Sequence, residues 1–493
     1  MQEIMYLAPE LVLVATGLVV LLAGVFLSPQ SKNILGYLAT LGTLTAIVLT
    51  VKSFGLLTMQ GYQVGYAIFS ETLSIDALSQ FFKLVFLAVA LIVSIAAIKY
   101  TENSKHTEEF YALVLFATFG MMIVASANDL IVLFCAFELA SLATFALAGF
   151  EKQNAKSLEG AMKYFIIGSV SAALMLFGLS FVYGATGTTS IPLIAKNPAL
   201  LIENPIGIVA IVLLTAGFGF KMALVPFHMW APDTYQGSPS VVSALLAAGS
   251  KKMGFVAAFR VFIIALAALQ PDWQFIFTLL AVVTMTFGNV VAVAQTSVKR
   301  MLAYSSLAQA GYIAMAFAVM TPVALAGGIM YTLAHAFMKA GAFIAAGAVV
   351  WMVSSEKTGN LDTPDHLDSF RGLGKRMPLA ALCMTVFVFA LAGIPPTAGF
   401  MAKFVLFSST IQAGMTWLAV IAILNSALSL FYYARLVKYM YFMPPEGKKE
   451  KVSIPFPYAA ALMVAVSGVL AMGLWPEPFV ELAMKAAMVL LPF

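Results

Sequence analysis

The sequence repeats one feature more than any other: apolar stretches of about the same length, separated by short polar turns. An α-helix rises about 1.5 Å per residue, so about twenty apolar residues cross the ~30 Å hydrocarbon core of a bilayer. Stretches of that size lie at roughly 5–27, 33–52, 76–98, 110–127, 130–149, 157–184 and 205–228. They continue at roughly 238–266, 272–295, 299–320, 322–353, 377–408, 413–437 and 453–475, with a short amphipathic tail behind. The pattern predicts an all-α polytopic membrane protein with 14 transmembrane helices, numbered here as spans in that order. Composition agrees: 62% of the 493 residues are hydrophobic and 10% are charged, at a mean hydropathy of +0.96. A lipid bilayer accepts that surface and a soluble core does not. The first residues, MQEIMYLAPELVLVATGLVVLLAGVFL, have neither a basic segment nor a small-residue cleavage site and read as a retained span. Ser53–Ile75 alternates polar and aromatic residues and reads as an external hairpin or loop. No separate soluble domain is expected. The single membrane domain divides into 5–109 (spans 1–3), 110–266, 272–441, and 453–493 (span 14 and the tail).

Charge placement orients the bundle. When the connections are taken alternately, fifteen lysines and arginines from Lys32 to Lys451 fall in one set, Lys357, Lys448 and Lys449 among them. The other set holds Lys196 and Lys485, with Lys52 at a helix end. By the positive-inside rule both termini lie on the non-cytoplasmic side, which requires an even number of spans. Two cysteines, Cys135 and Cys383, both inside apolar runs, exclude Cys-ligated iron–sulfur clusters and a disulfide framework. There is no Gly-rich nucleotide loop between a strand and a helix, and no HExxH metal motif. No cofactor or metal site is therefore expected in this chain, and no nucleic-acid partner.

The informative residues are the ionisable ones near mid-span: Glu138, Lys163, Lys221, Lys251, Lys252, His335, Lys339 and Lys403. Each costs roughly 2.5–3.5 kcal/mol on insertion scales, so a lipid-facing role is excluded. Scaffolding by ion pairs is the bland alternative for any one of them, but one acid cannot neutralise such a series of lysines. Lysine suits a proton relay: burial disfavours its charge, a nearby carboxylate restores it, and small movements load or unload it. Two charges ~10 Å apart at an effective dielectric of ~20 interact by roughly 1.7 kcal/mol, enough to pass a switching signal. His335 and Lys339 are four apart and share a helix face. His228 follows Pro226 and is either a proton intake group or a packing histidine. Lys83 is expected to snorkel to the interface, and Asp129, Asp233 and Asp272 to act as caps or solvated loop residues.

Two of these lysines share a local phrase. Thr215-Ala-Gly-Phe-x-x-Lys221 matches Thr397-Ala-Gly-Phe-x-x-Lys403, five spans apart. An odd shift means that equivalent helices run in opposite directions, which is the mark of an inverted repeat. Helix breakers lie nearby. Pro226 leaves the carbonyl of Met222 without its usual donor, and Gly393-Ile394-Pro395-Pro396 does similar damage about two turns before Lys403. Such carbonyls survive at membrane depth only where protein or water satisfies them. A packing kink is the simpler explanation. The breaks also sit on opposite sides of the two lysines.

Longer phrases carry a resemblance. IDALSQFFKL (Ile75–Leu84), FCAFELASLATFALAGF (Phe134–Phe150), SLEGAMKYFIIGS (Ser157–Ser169), GFGFKMALVPFHMWAPDTYQGSPSVVSALLAAGSKKMGF (Gly217–Phe255), KRMLAYSSLAQAGY and GIPPTAGFMAKF together cover most of the chain. In them the sequence resembles the antiporter-like subunits of respiratory complex I, subunit N in particular. The resemblance implies inverted five-helix repeats (spans 4–8 and 9–13), broken spans 7 and 12, and proton translocation driven by remote quinone or methanophenazine reduction. It implies membrane-arm partner subunits, with FMN or FAD and iron–sulfur clusters in other subunits. The setting would be a prokaryotic plasma membrane or an organellar inner or thylakoid membrane. By position, Glu138 resembles the span 5 glutamate, Lys221 its span 7 partner, Lys251 the connecting lysine and Lys403 the terminal lysine, while Lys163 matches a span 6 lysine. His335 and Lys339 resemble a pair from the larger subunits, and Lys252 has no counterpart. An Mrp-type Na⁺/H⁺ antiporter subunit shares the fold and is the first rival. A non-pumping structural subunit is the second.

Overall fold

A computed structural model of the protein describes residues 5–59, 65–202, 205–356, 363–445 and 450–491. Lys357, Lys448 and Lys449 of the basic set lie outside the described residues. The chain is helical almost throughout, because backbone N–H and C=O groups inside a bilayer must be paired within the protein. The helices are α1 (Ala8–Phe26), α2 (Asn33–Met59), α3 (Ala77–Tyr100), α4 (Thr107–Ser126), α5 (Leu130–Ala148) and α6 (Ala155–Thr186). After two short turns, Ile191–Lys196 and Ala199–Ile202, come α7 (Ile206–Met222) and α8 (Trp230–Gly237). The next four are α9 (Ser240–Ala265), α10 (Ala267–Ala294), α11 (Val298–Val319) and α12 (Pro322–Glu356). The last are α13 (Pro378–Ala392), α14 (Ala398–Gln412), α15 (Thr416–Phe442), α16 (Phe456–Leu474) and the short α17 (Glu477–Met488). Among the described residues, 12 helices are long and apolar enough to cross a membrane, and α7 and α13 are shorter apolar helices.

Side-chain caps fix several helix starts. Asp76 accepts from Ser79 N–H, and Ser79 Oγ accepts from Asp76 N–H, as a capping box on α3. Asp129 caps α5, Asn154 caps α6 and Ser297 caps α11. Within Ser53–Ile75 the α2 helix runs on to Met59, and a small antiparallel hairpin pairs β1 (Tyr66–Ile68) with β2 (Leu73–Ile75). The expected loop is thus part helix and part hairpin, since Phe54, Leu57, Ile68, Leu73 and Ile75 bury one another.

α9, α11 and α12 are almost wholly enclosed, whereas α1, α6, α10 and α15 keep apolar flanks exposed. α12 sits at the centre, against α3, α9, α11, α13, α14 and α16. Helix α9 is not uniform: Leu246–Ser250 and Phe259–Ala265 are π-helical and bracket an α-helical stretch that starts with Lys251 and Lys252. π turns hold one extra residue and so rotate the later side chains around the helix axis.

α7 and α13 each stop inside a predicted apolar stretch, 205–228 and 377–408, and their ends are built alike. α7 ends on Ala223 at φ 53°, with Leu224 N–H on Gly219 O and Ala223 N–H on Phe220 O. α13 ends on Gly393 at φ 91°, with Ile394 N–H on Phe389 O and Gly393 N–H on Ala390 O. These are matching left-handed caps, and equivalent residues are offset by 170. The Thr-Ala-Gly-Phe phrases are offset by 182 and so do not mark equivalent places. Lys221 precedes its break and Lys403 comes after its own.

Candidate functional site

Lys221 is fully buried near the end of α7. Its ammonium donates to Ser141 Oγ on α5 at 2.9 Å and to the Tyr164 hydroxyl on α6 at 3.0 Å. The rings of Phe137, Phe145 and Tyr164 surround it, with centroids 5.6, 5.8 and 5.4 Å from Nζ. Such a cage favours a cation through the ring faces. Glu138 is half-buried on α5, one turn before Ser141. Among the described residues no carboxylate lies within 4.0 Å of Lys221, so Glu138, one turn along α5 from the serine that Lys221 contacts, forms no contact ion pair with it.

Lys251 and Lys252 diverge. Lys251 donates to Ser306 Oγ at 3.1 Å and to Ser306 O at 3.2 Å on α11. Lys252 meets His335 Nδ1 on α12 at 2.7 Å. One turn further along α12, Lys339 donates to Ser305 Oγ at 2.6 Å and to Leu302 O at 2.9 Å. Ser305 is also bonded to the Tyr433 hydroxyl. Lys251 and Lys339 thus rest on adjacent residues of α11, Ser306 and Ser305, neither of which carries a charge.

Lys403 is held by its own break. Pro395 and Pro396 have no N–H, so the carbonyls of Leu391 and Ala392 lose their helical donors. The Lys403 ammonium donates to Leu391 O at 2.9 Å, to Ala392 O at 3.0 Å and to Ser426 Oγ at 2.8 Å. Gln309 Nε2 also reaches Leu391 O at 3.2 Å, while Tyr331 donates to Gln309 Oε1. The Tyr312 ring lies 5.2 Å from Lys403 Nζ. At the α7 break the lysine takes no part: Trp230 Nε1 donates to Phe220 O at 3.0 Å.

Other expected residues stand apart. Lys163 is not a buried mid-span group. Its side chain is 41% exposed and donates to Glu159 at 2.6 Å and to Asp233 at 2.7 Å. Arg300 approaches the same Asp233 at 2.5 Å. Asp233 is therefore neither a cap nor a loop residue but the centre of an ionic clasp between α6, α8 and α11. His228 is buried against the Phe287 ring at 4.8 Å, with Nδ1 unpaired among the described residues. Lys83 does not snorkel. It is fully buried and pairs at 2.7 Å with Glu10 of α1, an acid that the reading of mid-span charges overlooked. A second overlooked pair, Arg260 with Asp76 at 2.8 Å, ties α9 to the start of α3.

The sequence reading also missed the neutral ladder on α11. Gln309 follows Ser305 and Ser306 by four and three residues and Tyr312 follows Gln309 by three, a helical spacing of polar groups along an apolar helix, which was the available signal. They touch Lys339, Lys251, the carbonyl shared with Lys403, and Lys403 itself.

The sequence profile of the family described as NADH:quinone oxidoreductase/Mrp antiporter, TM, matches residues 127–429, the stretch that holds Lys221, Lys251, Lys339 and Lys403. The chain belongs to that family. Within the NADH:quinone oxidoreductase/Mrp antiporter family it is 94% identical over 493 residues to the F(420)H(2) dehydrogenase subunit N of Methanosarcina mazei, covering 100% of both chains. It is 40% identical to the NADH-quinone oxidoreductase subunit N of Trichlorobacter lovleyi, over 97% of this chain and 96% of that one. A solved structure of respiratory complex I from Thermus thermophilus with bound aureothin contains a chain with 32% identity and a TM-score of 0.78, matched over 96% of this chain and 98% of that one.

Proposed function

We propose that this chain is the subunit N type, antiporter-like component in the membrane arm of a complex I-like oxidoreductase, and that it conducts protons along its buried lysines. The near-identical relative is part of an F(420)H(2) dehydrogenase, which makes a reduced deazaflavin the favoured electron donor. The flavin, FMN or FAD, and the iron–sulfur clusters belong to partner subunits. Both relatives are N subunits of electron-transfer enzymes, so the Mrp-type antiporter is the less supported reading. Fourteen crossings result if α7 with α8 and α13 with α14 each make one broken span. The matched breaks, five spans apart, support two inverted five-helix repeats at 110–266 and 272–441, with both termini on the non-cytoplasmic side.

The observation that carries the reading is the row Lys221, Lys251, Lys339, Lys403, enclosed in protein, with no carboxylate within 4.0 Å among the described residues and with α11 hydroxyls and an amide beside its last three members. A cation enclosed in a membrane helix bundle without a contact counter-ion is costly and marks a functional group. Lys221 loads from the basic-loop side and Glu138 modulates it. Lys251 and Lys339 exchange through Ser306 and Ser305, and Lys403 releases. Lys252 and His335 stand beside Lys339 as a lateral store, and His228 is an intake group. Lys163 serves the clasp. Energy comes from the remote redox arm, since one charge against 100 mV costs roughly 2.3 kcal/mol. The test is Lys221→Ala in the assembled complex, with protons moved per electron pair measured in vesicles. Strongly reduced pumping is expected. Full proton stoichiometry with normal assembly would leave the structural-subunit reading standing.

A further inference from the structure

The row has one gap. Lys221 and Lys251 share no hydrogen-bond partner, yet an aromatic file runs from one to the other. The Tyr164 ring, whose hydroxyl is bonded to Lys221, stacks on Trp230 with centroids 4.3 Å apart and planes 18° apart. Trp230 meets Tyr235 edge-on at 5.6 Å. Lys251 Nζ then lies 5.8 Å from the centroid of the Tyr235 ring. Tyr235 is fully enclosed, and its hydroxyl has no hydrogen-bond partner among the described residues. Ser250 Oγ, next to Lys251 in the chain, is in the same condition. A buried hydroxyl left unpaired costs about 1–3 kcal/mol, and native proteins meet that need with ordered water. A supply lies close by. Gln236–Val241, directly after Tyr235, line a cavity of about 780 Å³ whose wall also carries Glu151, Lys299 and Asp365.

We infer that Tyr235 is the relay residue between Lys221 and Lys251, its hydroxyl bridged by water to the Tyr164 hydroxyl on one side and to the Lys251 amine on the other. The inference rests on the proton-path reading above. The step balances as a shift of one proton along the file. The Lys221 ammonium gives a proton to the Tyr164 hydroxyl, each hydroxyl and bridging water gains one and loses one, the Tyr235 hydroxyl passes its proton to the second water, and that water gives one to the neutral amine of Lys251. Lys221 finishes as –NH₂ and Lys251 as –NH₃⁺, and no phenolate persists. A purely structural role assigns the work to the ring, through Trp230, Phe343 and the cation–π contact. Tyr235→Phe keeps all of those contacts and removes only the hydroxyl.

The experiment compares Tyr235→Phe with Lys251→Met in the full membrane complex, reading protons per electron pair in vesicles across a pH series and in deuterated water. Tyr235→Phe is expected to lower pumping by about fivefold, the equivalent of one hydrogen-bonding group of about 1 kcal/mol, to shift the pH profile and to enlarge the solvent isotope effect. Unchanged pumping and pH profile in Tyr235→Phe, with pumping lost in Lys251→Met, overturns the tyrosine relay and leaves the lysine row in place. Unchanged pumping in Lys251→Met overturns the row itself, and the relay with it.

Discussion

The two broken spans end in the same way but use their lysines differently. At α7 the lysine comes before the break and turns away from it, into an aromatic cage and two hydroxyls on other helices. Those hydroxyls have partners besides the lysine: Ser141 donates to Phe137 O and Tyr164 pairs with Thr144. At α13 the lysine comes after the break and folds back onto carbonyls that two prolines have stripped of donors. One lysine is held by side chains alone, which can rotate away; the other is held by two backbone carbonyls, which cannot, and by the Ser426 hydroxyl. An intake site must let its proton go inward on a signal, whereas a terminal site works from a fixed position, and the two environments suit those roles.

The largest effect expected is functional. Lys403→Met in the assembled complex should reduce pumping by about 100-fold, the scale of losing a positioned acid–base group, as measured by proton movement per electron pair in vesicles. Pumping close to the unaltered level would confine the path to the first half and break the comparison. The next effect is structural and separates the halves. Combining Lys403→Met with Gln309→Leu removes both donors from Leu391 O, and the thermal midpoint of the purified complex should fall by the equivalent of about 1–3 kcal/mol. Lys221→Met should shift that midpoint by less than about 1 kcal/mol, because its partners pair with others.

A smaller contrast lies in the caps. Gly393 combines positive φ with a Cβ position only 3.0 Å from Lys403 Cδ. Gly393→Ala should therefore destabilise by about 1–2 kcal/mol. Ala223→Gly, at the matching place, should stabilise by no more than about 1 kcal/mol. Denaturation of the two variants side by side checks the signs, and equal signs would show that the caps are not equivalent. The smallest effect concerns the clasp. Lys163→Gln should leave pumping within about twofold, since partly exposed ion pairs contribute about 0–1 kcal/mol. A large loss would return Lys163 to the proton path.

Much of the fold was legible because a bilayer permits one answer to a twenty-residue apolar run. The helices fall where hydropathy puts them, and Pro226 and Pro395-Pro396 mark real interruptions. The buried lysines were legible as well, since their cost demands a reason. Pairing between distant spans was not. Nothing local to Lys83 announces Glu10, and nothing in Lys251-Lys252 says that adjacent side chains part toward Ser306 and His335, because a π-helical stretch sets their phase. The Thr-Ala-Gly-Phe phrase led to broken spans that are built alike, but through the wrong alignment: twelve residues separate its offset from that of the caps. Ser305, Ser306 and Gln309 went unread because neutral polar residues inside apolar helices carry little cost and so attract little notice.

Ser306, Lys251 and Lys339 all lie well inside their helices, away from either end, so the exchanges among them run across the bundle and not through its thickness. Travel in that direction crosses almost none of the membrane voltage. On the proposed proton path, the electrical work of roughly 2.3 kcal/mol per charge at 100 mV would be concentrated in arrival at Lys221 and departure from Lys403. The lateral steps of that path would be left free of the load, and a back-pressure of voltage would stall it at its two mouths while its centre still equilibrates.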